Sequence, residues 1–203
     1  MKHIKTHHSQ PYPDPYHGVY ARTVFGFWLF LVTDFILFGT LFATFIVLAN
    51  STFGGPGAVE LLNPEWAAVQ SFILLLASLF SGLAGAAAHR NEKSRALVLL
   101  LCTFIAGCVF SYGLFADFAR LIEGGSSWDK SAFLSAFFTV LGTHAIHIIF
   151  AVLWIPVLAY PLFKEKEVSQ DSKRRITCLR MFWQFLNIIW IFIFAIVFFM
   201  GRG

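Results

Sequence analysis

Five stretches of this chain run for about twenty residues or more with almost no charge: Val24–Leu48, Trp66–Ala88, Ala96–Ala116, Ala132–Phe163 and Met181–Met200. A hydrocarbon layer about 30 Å thick is crossed by roughly 20 apolar residues in a helix, and every run meets that length. Backbone polar groups inside lipid find no water, so a spanning chain bonds them internally, as a helix or a closed barrel. Barrel strands alternate in polarity, and these runs do not. The expectation is an all-α integral membrane protein, a bundle of five transmembrane helices. The fourth run is too short for two spans and a turn. Pro156 and Pro161 near its end mark positions where a long helix kinks or stops.

Composition agrees. Of 203 residues, 58% are hydrophobic and 13% charged, against roughly 45–50% and about 25% in soluble domains. The lysines and arginines set the orientation. Twelve of the 15 fall in the N-terminal tail, the second loop and the fourth loop with its border, whereas Arg120, Lys130 and Arg202 lie on the other side. Positive charge is retained in the cytoplasm, so the N-terminus is expected there and the C-terminus in the periplasm. The net charge of +4 reflects this asymmetry, and nothing points to nucleic acid.

Residues 1–22 read as a polar, histidine-containing cytoplasmic tail (His3, His7, His8, His17), and 23–203 as a single transmembrane domain. No signal peptide is expected, because the first apolar run is long enough to stay in the membrane. The loops are too short to fold separately, and no internal repeat argues for a transporter built from repeats. Cys102, Cys108 and Cys178 lack the spacing of a disulfide framework or zinc site and read as packing residues. Thr103, Gly107 and Ser111, and likewise Ser78, Gly82 and Ala86, recur at four-residue spacing, a pattern that lets helices approach closely in lipid.

Few side chains offer chemistry. Asp34 is the single charge within the runs; a carboxylate near mid-membrane is costly without a partner or a role. His144 and His147 lie three apart, on one helix face. A bis-histidine haem would need a histidine from a second helix at matching depth, and His89 lies far from that depth. A lone histidine pair is also too small a ligand set for copper or two metals. No metal is therefore expected. Asp34 and both histidines fall at similar depth, and a shared hydrogen bond would satisfy groups that lipid cannot solvate. Asp34 on the first helix is expected to contact His144 or His147 on the fourth. Gln184 and Asn187 read as amides bridging helices. Lys173, Arg174, Arg175 and Arg180 are candidates for anionic lipid headgroups, while Asp117, Glu123 and Asp129 read as solvated near the outer surface.

Three segments, "GFWLFLVTDFILFGTLFATF", "SAFFTVLGTHAIHIIFAVLWI" and "CLRMFWQFLNIIWIFIFAIVFFMG", together resemble subunit III of the haem–copper respiratory oxidases. The five-helix length is similar to the bacterial form found in cytochrome bo-type ubiquinol oxidases. The resemblance implies an inner-membrane complex of four subunits that oxidises ubiquinol, reduces oxygen to water and pumps protons. It implies that this chain is not an enzyme by itself and carries no cofactor, the haems and copper belonging to subunit I, with subunits II and IV as further partners. It also implies an accessory role in assembly, stability and proton uptake, and binding of phospholipid. Asp34 in "TDFILF" matches the family's buried acidic residue, His144 and His147 match its "GxHxxH" pair, and Asp117 matches an acidic residue before an aromatic one. Gln184 and Asn187 depart from the family's frequent "FWHFxDxxW", which leaves them a packing and hydrogen-bonding role. The competing expectation is a small independent transporter or channel.

Overall fold

The computed structural model describes residues 15–55, 57 and 64–200, with side chains at 18–55, 57 and 65–197. His3, His7 and His8 lie outside the described residues. Among the described residues five helices follow in order: α1 (Pro15–Leu48), α2 (Pro64–His89), α3 (Lys93–Glu123), α4 (Ala132–Lys164) and α5 (Gln170–Met200). All five are long and apolar enough to cross a membrane, and the described residues contain no strand. This is a multi-pass membrane protein.

The helices overrun the apolar runs. Residues 15–22, expected as tail, already belong to α1, and α5 starts at Gln170 rather than near Met181. An apolar run marks the hydrocarbon; a helix continues into the headgroup layer wherever its backbone bonds can still close. The ends are set by capping. After α2, Asn91 takes a left-handed φ of 60°, and Asn91 N–H and Glu92 N–H donate to the Ala88 and Ala87 carbonyls at 3.1 and 3.0 Å. Gly125 (φ 80°) closes α3 in the same way, with bonds to Ile122 and Leu121. Both are the paired bonds of a Schellman motif, which needs a residue tolerant of positive φ. Pro156 and Pro161 lie inside α4 without ending it; Ser131 caps its start by accepting from Leu134 N–H at 3.1 Å.

The α4–α5 junction is tied by Glu165. Its carboxylate accepts from Ser169 N–H and from the Ser169 and Ser172 hydroxyls at 2.9–3.0 Å. Lys93 from the start of α3 bonds the Phe163 and Glu165 carbonyls at the end of α4. A cation at a helix C-terminus satisfies orphan carbonyls and complements the dipole.

Helix α5 packs against α1, α2 and α4; α3 packs on α2 and α4, with α2–α3 the most extensive contact; α1 packs on α4 and α5 at the edge of the bundle. The inward residues of α1 are Phe27, Leu31, Asp34, Phe38, Leu41, Phe45 and Leu48, alternately four and three apart, while Phe25, Leu29, Val32, Ile36 and Val47 are exposed. A 4-3 seam is the geometry of left-handed helix pairing, and Asp34 occupies a core position within it. On α3, Thr103 and Gly107 are buried; a Cβ at Gly107 would lie 2.7 Å from Val152 Cγ2 and 2.9 Å from Trp183 Cη2, so three helices meet there. On α2 the expectation is corrected. Ser78, Gly82 and Ala86 are half-exposed, and the packed stripe is Ala77, Ser81, Ala84 and Ala88. Of the cysteines, Cys178 is buried, Cys102 half-buried and Cys108 exposed.

Candidate functional site

The seam of α1 carries Asp34 to α4. Its Oδ2 lies 3.6 Å from His147 Nε2, with both side chains less than a fifth exposed. That separation lies within ion-pair range but beyond the 2.7–3.2 Å of a hydrogen bond, and Oδ2 has no hydrogen-bond partner among the described residues. The other ring nitrogen, His147 Nδ1, donates to the Thr143 carbonyl one turn back at 2.7 Å. A carbonyl only accepts, so Nδ1 carries a proton and Nε2 is the atom that exchanges one. Aspartic acid beside neutral imidazole and carboxylate beside imidazolium then differ by the place of one proton, with no change in net charge. Phe38 at 5.3 Å and Phe182 at 6.2 Å, centroid to centroid, wall the His147 ring.

His144, one turn before, is separate from this pair. It is fully buried, and its Nε2 lies 3.2 Å from the Leu186 carbonyl of α5, to which it donates. The rings of Phe38, Phe110 and Trp190 surround it. The two histidines thus tie α4 to different neighbours: His147 to α1, His144 to α5.

The amides of α5 are corrected. Gln184 is exposed beside an apolar groove between α1 and α5, and Asn187 is half-buried, its Oδ1 lacking a hydrogen-bond partner among the described residues. Neither bonds another helix among the described residues. The bonds that join helices come from other side chains. Trp190 Nε1 donates to Ser71 Oγ at 2.9 Å, and Tyr20 Oη donates to Thr177 Oγ1 at 3.2 Å, with His89 Nε2 3.4 Å from the same oxygen. Periodicity groups Gln184 with Asn187, but every position around them is apolar, so nothing in the sequence says which face turns outward.

Asp117 is also corrected. It is not merely solvated: Trp66 Nε1 and Gln70 Nε2 of α2 donate to its Oδ2 at 3.0 and 2.6 Å, and Arg120 pairs with Oδ1 at 3.2 Å. Gly113 leaves room for Gln70, whose Nε2 would be 3.3 Å from a Cβ there. Asp129 stays exposed, its carboxyl held below the usual range by the Ser127 hydroxyl. Among the basic candidates Arg174 pairs with Asp171 at 3.0 Å, Arg175 is exposed and Lys173 half-buried, while Arg180 Nε is buried with no hydrogen-bond partner among the described residues.

Among the described residues no three histidines, cysteines or carboxylates are grouped so as to hold a metal. Residues 14–202 match the family model described as cytochrome c oxidase subunit III. The chain is 38% identical over 201 residues to the cytochrome bo(3) ubiquinol oxidase subunit 3 of Pseudomonas aeruginosa, covering 98% of this chain and 96% of that one. It is 33% identical over 204 residues to the quinol oxidase subunit 3 of Bacillus subtilis, covering 100% and 99%, and 31% identical over 184 residues to the cytochrome bo(3) ubiquinol oxidase subunit 3 of Buchnera aphidicola, covering 91% and 94%.

Proposed function

Because this chain belongs to the cytochrome c oxidase subunit III family, we propose that it works as the accessory subunit III of a cytochrome bo-type ubiquinol oxidase, in the bacterial inner membrane. Its N-terminus faces the cytoplasm and its partners are subunits I, II and IV. Haem and copper chemistry belongs to subunit I. The observation that carries the reading is full-length likeness to quinol oxidase subunits 3 at 31–38% identity, on a bundle of five membrane-length helices.

In this reading the Asp34–His147 pair is structural first. It fastens edge helix α1 to α4, and it holds one proton between two groups that lipid cannot solvate. Proton uptake by the complex draws on that pair secondarily. The arrangement disfavours an independent channel, since Asp34, His144 and His147 are turned onto other helices rather than around a common path. Blue-native electrophoresis of membranes tests the assignment. Co-migration with a haem-containing quinol oxidase is expected; migration alone overturns it.

A further inference from the structure

Gln184 turns a whole amide out of the bundle at membrane depth. Its side chain is exposed and makes no hydrogen bond among the described residues. The neighbouring helix fixes how deep it lies. Thr177 Oγ1 stands 3.4 Å from Nε2 of His89, the last residue of α2, and Gln184 is seven residues, about 10 Å, further in. Val197 lies thirteen residues, about 20 Å, beyond it. The two distances together match a hydrocarbon layer of about 30 Å. The amide therefore stands about 10 Å inside that layer, too deep for water or the ester carbonyls of lipid. Hydrocarbon offers nothing to its two N–H donors or its carbonyl oxygen.

The surface around Gln184 is concave. Helices α1 and α5 border an open groove of about 290 Å³, with Trp28, Val32 and Phe35 on one bank and Met181, Gln184 and Ile188 on the other. One turn beyond Phe35 the α1 bank drops away at Gly39, where a Cβ would meet nothing within 4 Å. Helix α1 is also the least covered span: 17% of its most apolar stretch is buried, against 33–44% in the other four. Asp34 engages His147 on another flank of α1, so the groove side is left open.

We propose that this groove seats a transmembrane helix from another subunit of the oxidase, which presents a Ser, Thr, Asn or Gln side chain to the Gln184 amide. An acyl chain would fill the groove and leave the amide unsatisfied. A helix does both: its apolar side chains enter between the banks, and one polar side chain closes the interhelical bond that amides in lipid make. The inference rests on the reading of this chain as subunit III and adds which face meets the complex.

The test uses the complex with all its subunits. The photoreactive residue benzoylphenylalanine is placed at Val32 or Ile188 in the groove, or at Ile105, exposed on α3. Membranes are irradiated and the products identified by mass spectrometry. Both groove positions are expected to form adducts with a transmembrane segment of another subunit. Gln184→Leu, similar in size, should raise the loss of this chain during graded detergent washing by roughly threefold to tenfold, as for a lost interhelical bond in lipid. Gln184→Asn, which keeps an amide on a shorter stem, should lose less. If Gln184→Leu does not assemble, the crosslinks decide the matter. Adducts with lipid alone, with a second copy of this chain, or from Ile105 and neither groove position overturn the face, as does Gln184→Leu retained like the unaltered chain. Blue-native electrophoresis separates the two levels. Any of these results with co-migration intact refutes the face and spares the subunit assignment, whereas migration alone refutes both.

Discussion

The indole of Trp183 on α5 fills the space that a side chain at Gly107 of α3 would need: a Cβ there would stand 2.9 Å from Trp183 Cη2. Val152 of α4 closes the other side at 2.7 Å, so neither helix can yield without moving a third. Overpacking of a filled core costs about 1–3 kcal/mol. Gly107→Ala is therefore expected to lower the thermal midpoint of the purified complex, and Trp183→Leu in the same chain to restore part of the loss. An unchanged midpoint in Gly107→Ala would contradict the triple contact.

The Asp34–His147 contact predicts strong non-additivity. Removing either group leaves its partner poorly solvated, whereas removing both leaves nothing to satisfy. Asp34→Ala and His147→Ala should each loosen the subunit from the complex, and the double variant should cost little more than one of them. His144→Ala, which breaks the bond to Leu186 instead, should add to Asp34→Ala. Retention after graded detergent washing measures both; additive losses for Asp34 with His147 would count against the pairing.

Glu165 makes the α4–α5 junction sensitive to acid. Burial disfavours its charge, but bonds from Ser169 and Ser172 and the nearby Lys93 outweigh burial and hold the carboxyl below its ordinary range. A carboxyl lowered in the folded state contributes stability that is present above the unfolded value and lost as pH falls through the folded one. Amide protection over residues 165–173, taken relative to the intrinsic exchange rate at each pH, should fall on acidification below the usual carboxylate range. Glu165→Gln should show low protection at every pH. A junction equally protected at neutral and low pH would rule this out.

At the opposite end of α3, Asp117 accepts from Trp66 and Gln70. Asp117→Ala would strand both donors, a loss of roughly 1–3 kcal/mol where the group is buried. Adding Gln70→Leu removes one stranded donor, so the double variant should melt higher than Asp117→Ala alone. The reverse order would show that the carboxylate acts through Arg120 rather than through α2.

The spans were legible because lipid imposes a length and forbids charge, and no tertiary contact overrides either demand. What lipid does not reward was hidden. The 4-3 seam of α1 has no polar contrast, since Phe25, Leu29 and Ile36 on its outer side are as apolar as Leu31 and Phe38 inside. On α2 two small-residue stripes alternate, and composition could not choose Ala77 and Ser81 over Ser78 and Gly82. Spacing put His144 and His147 on one face, yet a ring's width around the helix sends one to the Asp34 carboxylate and the other to a backbone carbonyl. Asp117 looked solvated because Gln70, its partner, is distant in sequence and sits inside an otherwise apolar run.

The placement of α1 at the bundle edge has a consequence in time. Its seam is completed by α4 and α5, the last two helices to be synthesised. Between Asp34 and His147 lie more than a hundred residues, and ribosomes add about 5–20 per second. The nascent α1 therefore waits on the order of ten seconds in the bilayer, or in the insertion machinery, with its carboxyl group unmatched. An aspartate at mid-span opposes insertion by about 2.5–3.5 kcal/mol, while each Leu, Ile, Phe or Val returns roughly 0.3–0.6. The apolar residues that crowd the outer face of α1, superfluous to its packing, keep the helix inserted until the histidine arrives.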